Sequence, residues 1–364
     1  MARAQGRTAT DQACGDRRAH IALGVDDAGL QPIPTLLNSL HVNHRDTAVT
    51  GCVDVHLVTM DVPSHHPTII VLEDEAVSRR RWPSLQLHLI NFTQLEGAFL
   101  TFRSNRVGAA MRRNDVSTGE APITSATNIR ILLPALLPLS VAKVLYLDYD
   151  VIVNGSLEPL FVMPLGPDEA IAAKPRHVES TEGSVDKWLE TGGLKDKIMW
   201  KGGSKTFNPG VLLMSLPALR CSNASSTIGG WNRQWGFDDQ TALNFFFNGS
   251  FRELPMEYNV FVGSEDLEAI NGKLKDDPSW RPVILHYKGG VKPWSGPNSW
   301  TNFVKSRTRR HKYAWLRRAC WRSASDGPPL ETYDDGCQYL KPSMRSSLVK
   351  TWWDLWGTYK YVEQ

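Results

Sequence analysis

Apolar residues along this chain fall into short continuous runs and helix-spaced stripes separated by polar turns. Residues 21–25 (IALGV) read as a first strand that runs straight into Asp26 and Asp27. Leu36, Leu37, Leu40 and Val42 then recur at helical spacing, and further strands are expected at 53–60 and at 85–90, where Leu-Gln-Leu-His-Leu-Ile alternates. From 96 to 120 the chain is polar and glycine-bearing, and no regular element is expected. Residues 129–139 predict a helix closing at Pro138, which feeds a strand over 141–147. Later strands are expected at 170–173, 211–215 and 283–286, with a helix over 239–247. This alternation predicts an α/β fold around a mostly parallel sheet, whose ligand crevice lies at the carboxyl ends of the strands. Asp26, Asp27, Asp148 and Asp150 all fall at such ends.

The most unusual run is Val144-Leu-Tyr-Leu-Asp148-Tyr149-Asp150-Val-Ile-Val153, apolar except for two carboxylates two residues apart. Residues i and i+2 of an extended segment share a face, so both acids can reach one cation while Tyr149 points away. Burying two acids in an apolar strand is costly unless positive charge meets them. The same two acids would also suit the start of a surface turn.

Length and charge bound the alternatives. At 364 residues the chain has ample material for one large α/β domain. Lys and Arg number 41 against 38 Asp and Glu, a net charge of +3 that gives no reason to expect nucleic acid as a partner. Residues 1–19 are expected to be a flexible segment without the apolar core of a signal peptide, and the chain as written reads as soluble. Sequons at Asn91, Asn154, Asn223 and Asn248 would suit the Golgi lumen if an anchor belongs to the protein; a cytoplasmic or peripheral-membrane place fits equally. Cys14, Cys52, Cys221, Cys320 and Cys337 show no zinc spacing, and Cys320 and Cys337 are left as a pair that an oxidising compartment would allow.

Three more segments carry polar groups toward the Asp pair. Thr206-Phe-Asn208-Pro-Gly210 opens an apolar strand with one amide and one position for close backbone approach. Asp238-Asp239-Gln240 sits at a helix start. His286-Tyr-Lys-Gly289-Gly290-Val-Lys292 ends a strand in an imidazole and continues into a loop whose N–H groups and lysine suit a phosphate.

Taken together, IALGVDD, the Arg130 helix, VLYLDYDVIV, FNPGVLLMSL, DDQTALN and HYKGGVKPW resemble, in order, the retaining glycosyltransferases of family 8, over roughly residues 20–300. That family includes glycogenins, galacturonosyltransferase-like enzymes and lipopolysaccharide galactosyl- and glucosyltransferases. The resemblance implies a single GT-A domain over 20–300, followed by a basic, Trp-rich extension over 301–364. It implies that Asp148, Asp150 and His286 hold a divalent cation, Mn²⁺ or alternatively Mg²⁺, on the diphosphate of a UDP-sugar, with Tyr149 in the same donor-binding turn. Gly24, Asp26 and Asp27 would surround uracil, ribose and sugar, with Arg130 beside the donor and Gly289 and Lys292 on the β-phosphate. Asn208 and Asp239 would hold sugar hydroxyls, and Gln240 would lie beside the anomeric carbon. The acceptor implied is a hydroxyl on a glycan or glycolipid.

Two departures stand out. Ala28-Gly29 replaces the usual Asn-Tyr, so the aromatic that stacks on uracil is missing, and Pro209 replaces a small residue after Asn208. Residues 305–322 carry eight Lys or Arg and no acid, interleaved with Trp and Tyr, which suits contact with an anionic membrane surface or a solvated helix. Two other functions compete with glycosyl transfer. One is a haloacid-dehalogenase-like phosphatase using Asp-x-Asp, although that motif belongs early in a chain and before a turn; the other is a catalytically silent nucleotide-sugar binder.

Overall fold

The computed structural model describes residues 18–44, 53–92, 125–176, 205–235, 237–262 and 266–296, together with Leu355. The segment 1–17, the irregular stretch expected at 96–120, the basic stretch 305–322 and the Cys320 and Cys337 pair lie outside the described residues. Among the described residues, Cys221 is exposed with a free thiol, and no helix is long and apolar enough to cross a membrane.

The chain lays down β1 (Ala19–Val25), α1 (Ile33–His44), β2 (Val53–Thr59), α2 (Pro67–Ser78) and β3 (Leu85–Asn91) as successive strand and helix units with parallel strands. A 3₁₀ turn (Ser125–Asn128) leads into α3 (Ile129–Leu136), β4 (Lys143–Leu147), β5 (Val151–Val153), α4 (Glu158–Val162) and β6 (Ile171–Arg176). After it come β7 (Thr206–Ser215), α5 (Leu216–Cys221), α6 (Ala224–Trp235), α7 (Asp239–Phe247), β8 (Arg252–Glu253), β9 (Val260–Phe261), α8 (Leu267–Asp276) and β10 (Ile284–His286).

Among the described residues the main sheet has seven strands in the order β3-β2-β1-β4-β7-β6-β8. All pairings are parallel except those of β7 with β4 and β6, so the sheet is mostly parallel, as expected. β1, β2 and β4 are buried on both faces, which is why β1 and β4 read as apolar runs. The chain proceeds from β1 to β2 and β3 on one side, then returns to place β4 on the other side of β1. Such a reversal opens a crevice beyond the carboxyl ends of the two strands, here the ends that precede Asp26 and Asp148.

The antiparallel β7 matters for the site. Because it runs against β4, its first residues, including Asn208 and Gly210, lie at the same edge as the carboxyl ends of β1 and β4. Its Pro209 sits where the register with β6 shifts between Ala173 and Lys174, so the ladder does not require the N–H that proline lacks. A second, three-stranded sheet has the order β5-β10-β9. Ser39 Oγ accepts from Val153 N at 3.1 Å and Asn43 donates to Val153 O at 2.9 Å, tying β5 to α1.

Several elements depart from the sequence expectation. α3 stops at Leu136 rather than reaching 139, because Leu137 precedes Pro138 and is forced into extended backbone. α2 has no counterpart among the expected elements: Ile69 and Leu72 face the core, but Ile70 and Val77 are exposed and blur the stripe. Its start is a local signal, with the His66 side chain accepting from Thr68 N and Pro67 in the first turn. Val42, expected on the buried stripe of α1, is exposed.

At the far end of the sheet, His20, His56 and His88 stand on three neighbouring strands with Asp54 and Arg18. His20 Nδ1 lies 3.2 Å from His56 Nε2, the His56 and His88 rings stack at 4.9 Å, and Asp54 accepts from His88 at 2.7 Å and from Arg18 at 3.0 Å. Burial, with His88 and His20 adding to it, pushes the His56 imidazole down to about 3, and burial also lowers His20. Burial raises the Asp54 carboxyl, but hydrogen bonds from His88 and Arg18 outweigh it and hold it below its ordinary value. The folded state therefore binds fewer protons at this cluster than the unfolded chain, and stability is lost as pH falls below about 6.5. The Asp54 contribution is lost only below the ordinary carboxylate range. Unfolding titrations should show a loss of about 2 kcal/mol from pH 7 to pH 5, the cost of leaving one imidazole unprotonated 1.5 units below its usual value. His56→Gln should reduce that slope, burial of His20 and His44 accounting for what remains, and a wild type whose stability is unchanged over this range would contradict the account.

Candidate active site

Three segments meet at the crevice: the turn after β4, the start of β7 and the end of β10. Asp148 N donates to Gly210 O at 2.8 Å, so hydrogen bonding between β4 and β7 continues one residue past the strand and fixes the first carboxylate. The chain then enters β5, which pairs antiparallel with β10 so that His286 stands opposite Val151. Tyr287 N donates to Asp150 O at 2.9 Å, closing the same junction. An imidazole far away in sequence is thereby delivered beside both acids.

One ligand atom from each of Asp148, Asp150 and His286 lies within 4.8 Å of the other two. His286 Nε2 is 3.2 Å from Asp150 Oδ1 and 3.9 Å from Asp148 Oδ2. Each carboxylate keeps one oxygen on protein partners and turns the other inward. Asp148 Oδ1 accepts from Arg130 Nη2 and from the Tyr146 hydroxyl, both at 2.9 Å. Asp150 Oδ2 accepts from Lys292 Nζ, which also donates to Tyr287 O at 2.8 Å. Burial pushes the Asp150 carboxyl up, but Lys292 and His286 outweigh it and hold it well below the carboxylate range.

The residues fit a divalent cation. Two carboxylate oxygens and an imidazole nitrogen converge as a mixed oxygen and nitrogen donor set. Gly210 lines the same pocket. A Cβ there would lie 2.4 Å from His286 Cε1 and 2.7 Å from Asp148 Oδ2, so only glycine lets the backbone approach this closely.

Arg130 links the metal-competent triad to α7. Its Nη1 donates to Pro209 O at 2.5 Å, its Nε is 3.0 Å from Asp239 Oδ2, and its guanidinium stacks 4.6 Å over the Tyr146 ring. Burial raises the Asp239 carboxyl to about 6, although Arg130 opposes the shift. Asp238 caps α7 by accepting from Thr241 N, which leaves Asp239 and Gln240 at the helix start facing β7. Asn208 Nδ2 donates to Gln240 Oε1 at 3.3 Å. These contacts bring Arg130, Asn208, Asp239 and Gln240 together with the triad.

The β1 end contributes less directly. Asp26 is half-buried and accepts from Gly29 N at 2.9 Å, while Asp27 has its side chain 68% exposed and its carboxylate 3.6 Å from His66. Asp27 therefore stands at the expected edge but outside the cluster of the other acids. A Cβ on Gly24 would meet Ile129 Cβ at 2.9 Å, so its lack of a side chain serves the packing of β1 on α3. Tyr149 lies against Gly29 and edge-on to Trp294, with ring centres 6.4 Å apart, and burial, with Asp150, Asp148 and Asp26 adding to it, raises its hydroxyl pKa. Gly289 takes a positive φ of 103° in the turn between His286 and Lys292, a conformation that favours glycine.

Sequence reading missed Asn259 and Tyr146. Asn259 is 0% exposed, accepts at Oδ1 from the His286 ring and donates to Asn208 Oδ1 at 3.1 Å. It precedes a two-residue strand too short to show a period; the available signal was a polar side chain at the head of an apolar run. Tyr146 sits inside β4 and reads as ordinary strand core.

A mostly parallel sheet with a metal-competent Asp-x-Asp turn at its switch point matches the GT-A fold. The chain belongs to glycosyl transferase family 8, whose model matches residues 20–297. It is 24% identical over 284 residues to glycosyltransferase GlyF of Streptococcus pneumoniae, covering 76% of this chain and 58% of that protein. It is 27% identical over 175 residues to the lipopolysaccharide 1,2-glucosyltransferase of Escherichia coli, covering 46% and 49%. The chain thus spans about half the length of these curated relatives. The crystal structure of the galactosyltransferase LgtC with donor and acceptor sugar analogs superposes with a TM-score of 0.55 at 20% identity, over 82% of this chain and 99% of that one.

Gly210→Ala tests the pocket. The added methyl should weaken Mn²⁺ binding by about 10- to 100-fold in a calorimetric titration while leaving the circular dichroism spectrum unchanged. Wild-type affinity in that variant would contradict the crowding described.

Proposed function

We propose that this chain is a retaining hexosyltransferase that moves a glucosyl, galactosyl or galacturonosyl group from a UDP-sugar to an acceptor hydroxyl on a glycan or glycolipid. The observation that carries this reading is the convergence of Asp148, Asp150 and His286 at the switch point, with Lys292 adjoining and Asn208, Asp239 and Gln240 alongside. Membership in family 8 favours glycosyl transfer over the phosphatase reading. A relative named for action on lipopolysaccharide supports a glycolipid acceptor.

When bound at the triad, Mn²⁺ would neutralise charge developing on the departing diphosphate. Lys292 now lies on Asp150 and is placed to share its ammonium with a phosphate in the same pocket. The bond from the anomeric carbon to the UDP oxygen breaks, the acceptor oxygen bonds to that carbon on the same face, and its proton passes to the leaving UDP oxygen. Gln240 presents an amide dipole rather than a carboxylate, which suits stabilisation of positive charge at the anomeric carbon. Asp239 is the alternative nucleophile, but Arg130 pins its carboxylate in an ion pair, which weakens it in that role. Asn208 and Asp239 hold sugar hydroxyls in this reading. Gly24, Asp26 and Asp27 lie toward the nucleoside, where Tyr149 and Trp294 stand in for the aromatic that Gly29 lacks.

A hydrolysis screen with UDP-glucose, UDP-galactose, UDP-galacturonate, UDP-xylose and UDP-N-acetylglucosamine tests the class of reaction. One or two donors should be cleaved in the presence of Mn²⁺, and Asp150→Ala should lower the rate by about 10² to 10³ without loss of fold. Undiminished cleavage by Asp150→Ala, or phosphate release from simple phosphomonoesters with no UDP-sugar cleaved, would reject the proposal.

A further inference from the structure

The orientation of His286 follows from a chain of hydrogen bonds that begins at a backbone N–H. Gly210 N donates to Asn208 Oδ1 at 3.0 Å, and a backbone N–H can only donate, so that atom of Asn208 is its oxygen. The Asn259 atom 3.1 Å from the same oxygen must then be the amide nitrogen. This turns Asn259 Oδ1 toward His286 Nδ1, 2.9 Å away, so Nδ1 carries a proton and Nε2 is the nitrogen left to offer a lone pair to a cation held by the two carboxylates. A histidine that binds a metal through one nitrogen is held in this way through the other.

Asn259 itself is firmly placed. Its carbonyl accepts from Lys174 Nζ at 2.9 Å, Lys174 pairs with Asp266, and Asp266 Oδ2 accepts from Phe261 N at 2.7 Å. Lys174 also lies 4.0 Å over the Phe261 ring, and that ring packs edge-on against His286. Burying an ammonium and a carboxylate is costly, and here the pair braces the short segment that carries Asn259.

We infer that Asn259 is a positioning residue with two separable tasks: its oxygen fixes the metal-binding tautomer of His286, and its amide nitrogen orients Asn208 and, through it, Gln240. This inference rests on the proposed metal-dependent transfer and adds the residue that couples the metal side of the pocket to the sugar side. Asp in place of Asn separates the tasks, since a carboxylate still accepts from His286 Nδ1 but cannot donate to Asn208.

The test titrates Mn²⁺ alone, by loss of the free-ion electron paramagnetic resonance signal, into wild type, Asn259→Ala, Asn259→Asp and His286→Ala. Asn259→Ala should bind Mn²⁺ about 10- to 100-fold more weakly than wild type, whereas Asn259→Asp should bind at least as tightly as wild type. Donor hydrolysis at saturating Mn²⁺ should fall in both. Wild-type affinity in Asn259→Ala beside a loss in His286→Ala overturns this inference alone, as does equal weakening in both Asn259 variants. If wild type binds no Mn²⁺, the proposed function falls with it. Imidazole ¹⁵N resonances of wild type saturated with diamagnetic Mg²⁺ at pH 8 supply a readout independent of variant folding: a protonated Nδ1 and an unprotonated Nε2 at His286 are expected, and the reverse tautomer overturns the assignment.

Discussion

Two carboxylates emerging from one buried strand must be met by positive charge, and the architecture around the crevice follows from that constraint. Asp150 is buried, and Asp148, two residues earlier, is half-buried. Arg130 from α3 meets Asp148, Lys292 from the loop after β10 meets Asp150, and His286 stands between them. Each acid spends one oxygen on a protein cation and keeps one for the shared point. An isolated buried charge of this kind would shift its pKa and neutralise, yet Asp150 is held below the carboxylate range. Asp150 therefore stays ionised, and each acid keeps one oxygen turned to a point where a cation could sit.

Topology turns this local requirement into a site. β1 and β4 run side by side, yet the chain reaches β2 before it returns to β4, and that reversal leaves their carboxyl ends open. The antiparallel β7 brings Asn208 and Gly210 to the same edge from the opposite chain direction, and the small β5-β10-β9 sheet carries His286 back across it. Gly210 is where these demands collide, because any side chain there would occupy space already taken by His286 and Asp148. Conformational freedom matters less at that position than bare proximity.

Much of this was legible in the residues. The apolar runs located β1 and β4 because strands buried on both faces lack polar alternation, and Asp148 and Asp150 directly after β4 marked the site. The helix α2 was not legible because its exposed Ile70 and Val77 hide the buried stripe. α3 ended earlier than its apolar run because of the proline constraint at Leu137. Asp27 looked equivalent to Asp26, but only the latter is drawn toward Tyr149; which of two adjacent acids faces inward depends on a turn that Gly29 closes. Asn259 was hidden because its importance lies in tertiary hydrogen bonds rather than in any local pattern.

The central claim is that Asp148, Asp150 and His286 share one divalent cation on the donor side of the crevice. Anomalous diffraction at the manganese edge, from crystals grown with Mn²⁺ and UDP, addresses it without reference to turnover. A single strong peak is predicted at bonding distance from Asp148 Oδ2, Asp150 Oδ1 and His286 Nε2, with UDP oxygen completing the coordination. Bound UDP with no peak at these atoms, or with Lys292 still closed on Asp150 and manganese elsewhere, would contradict it.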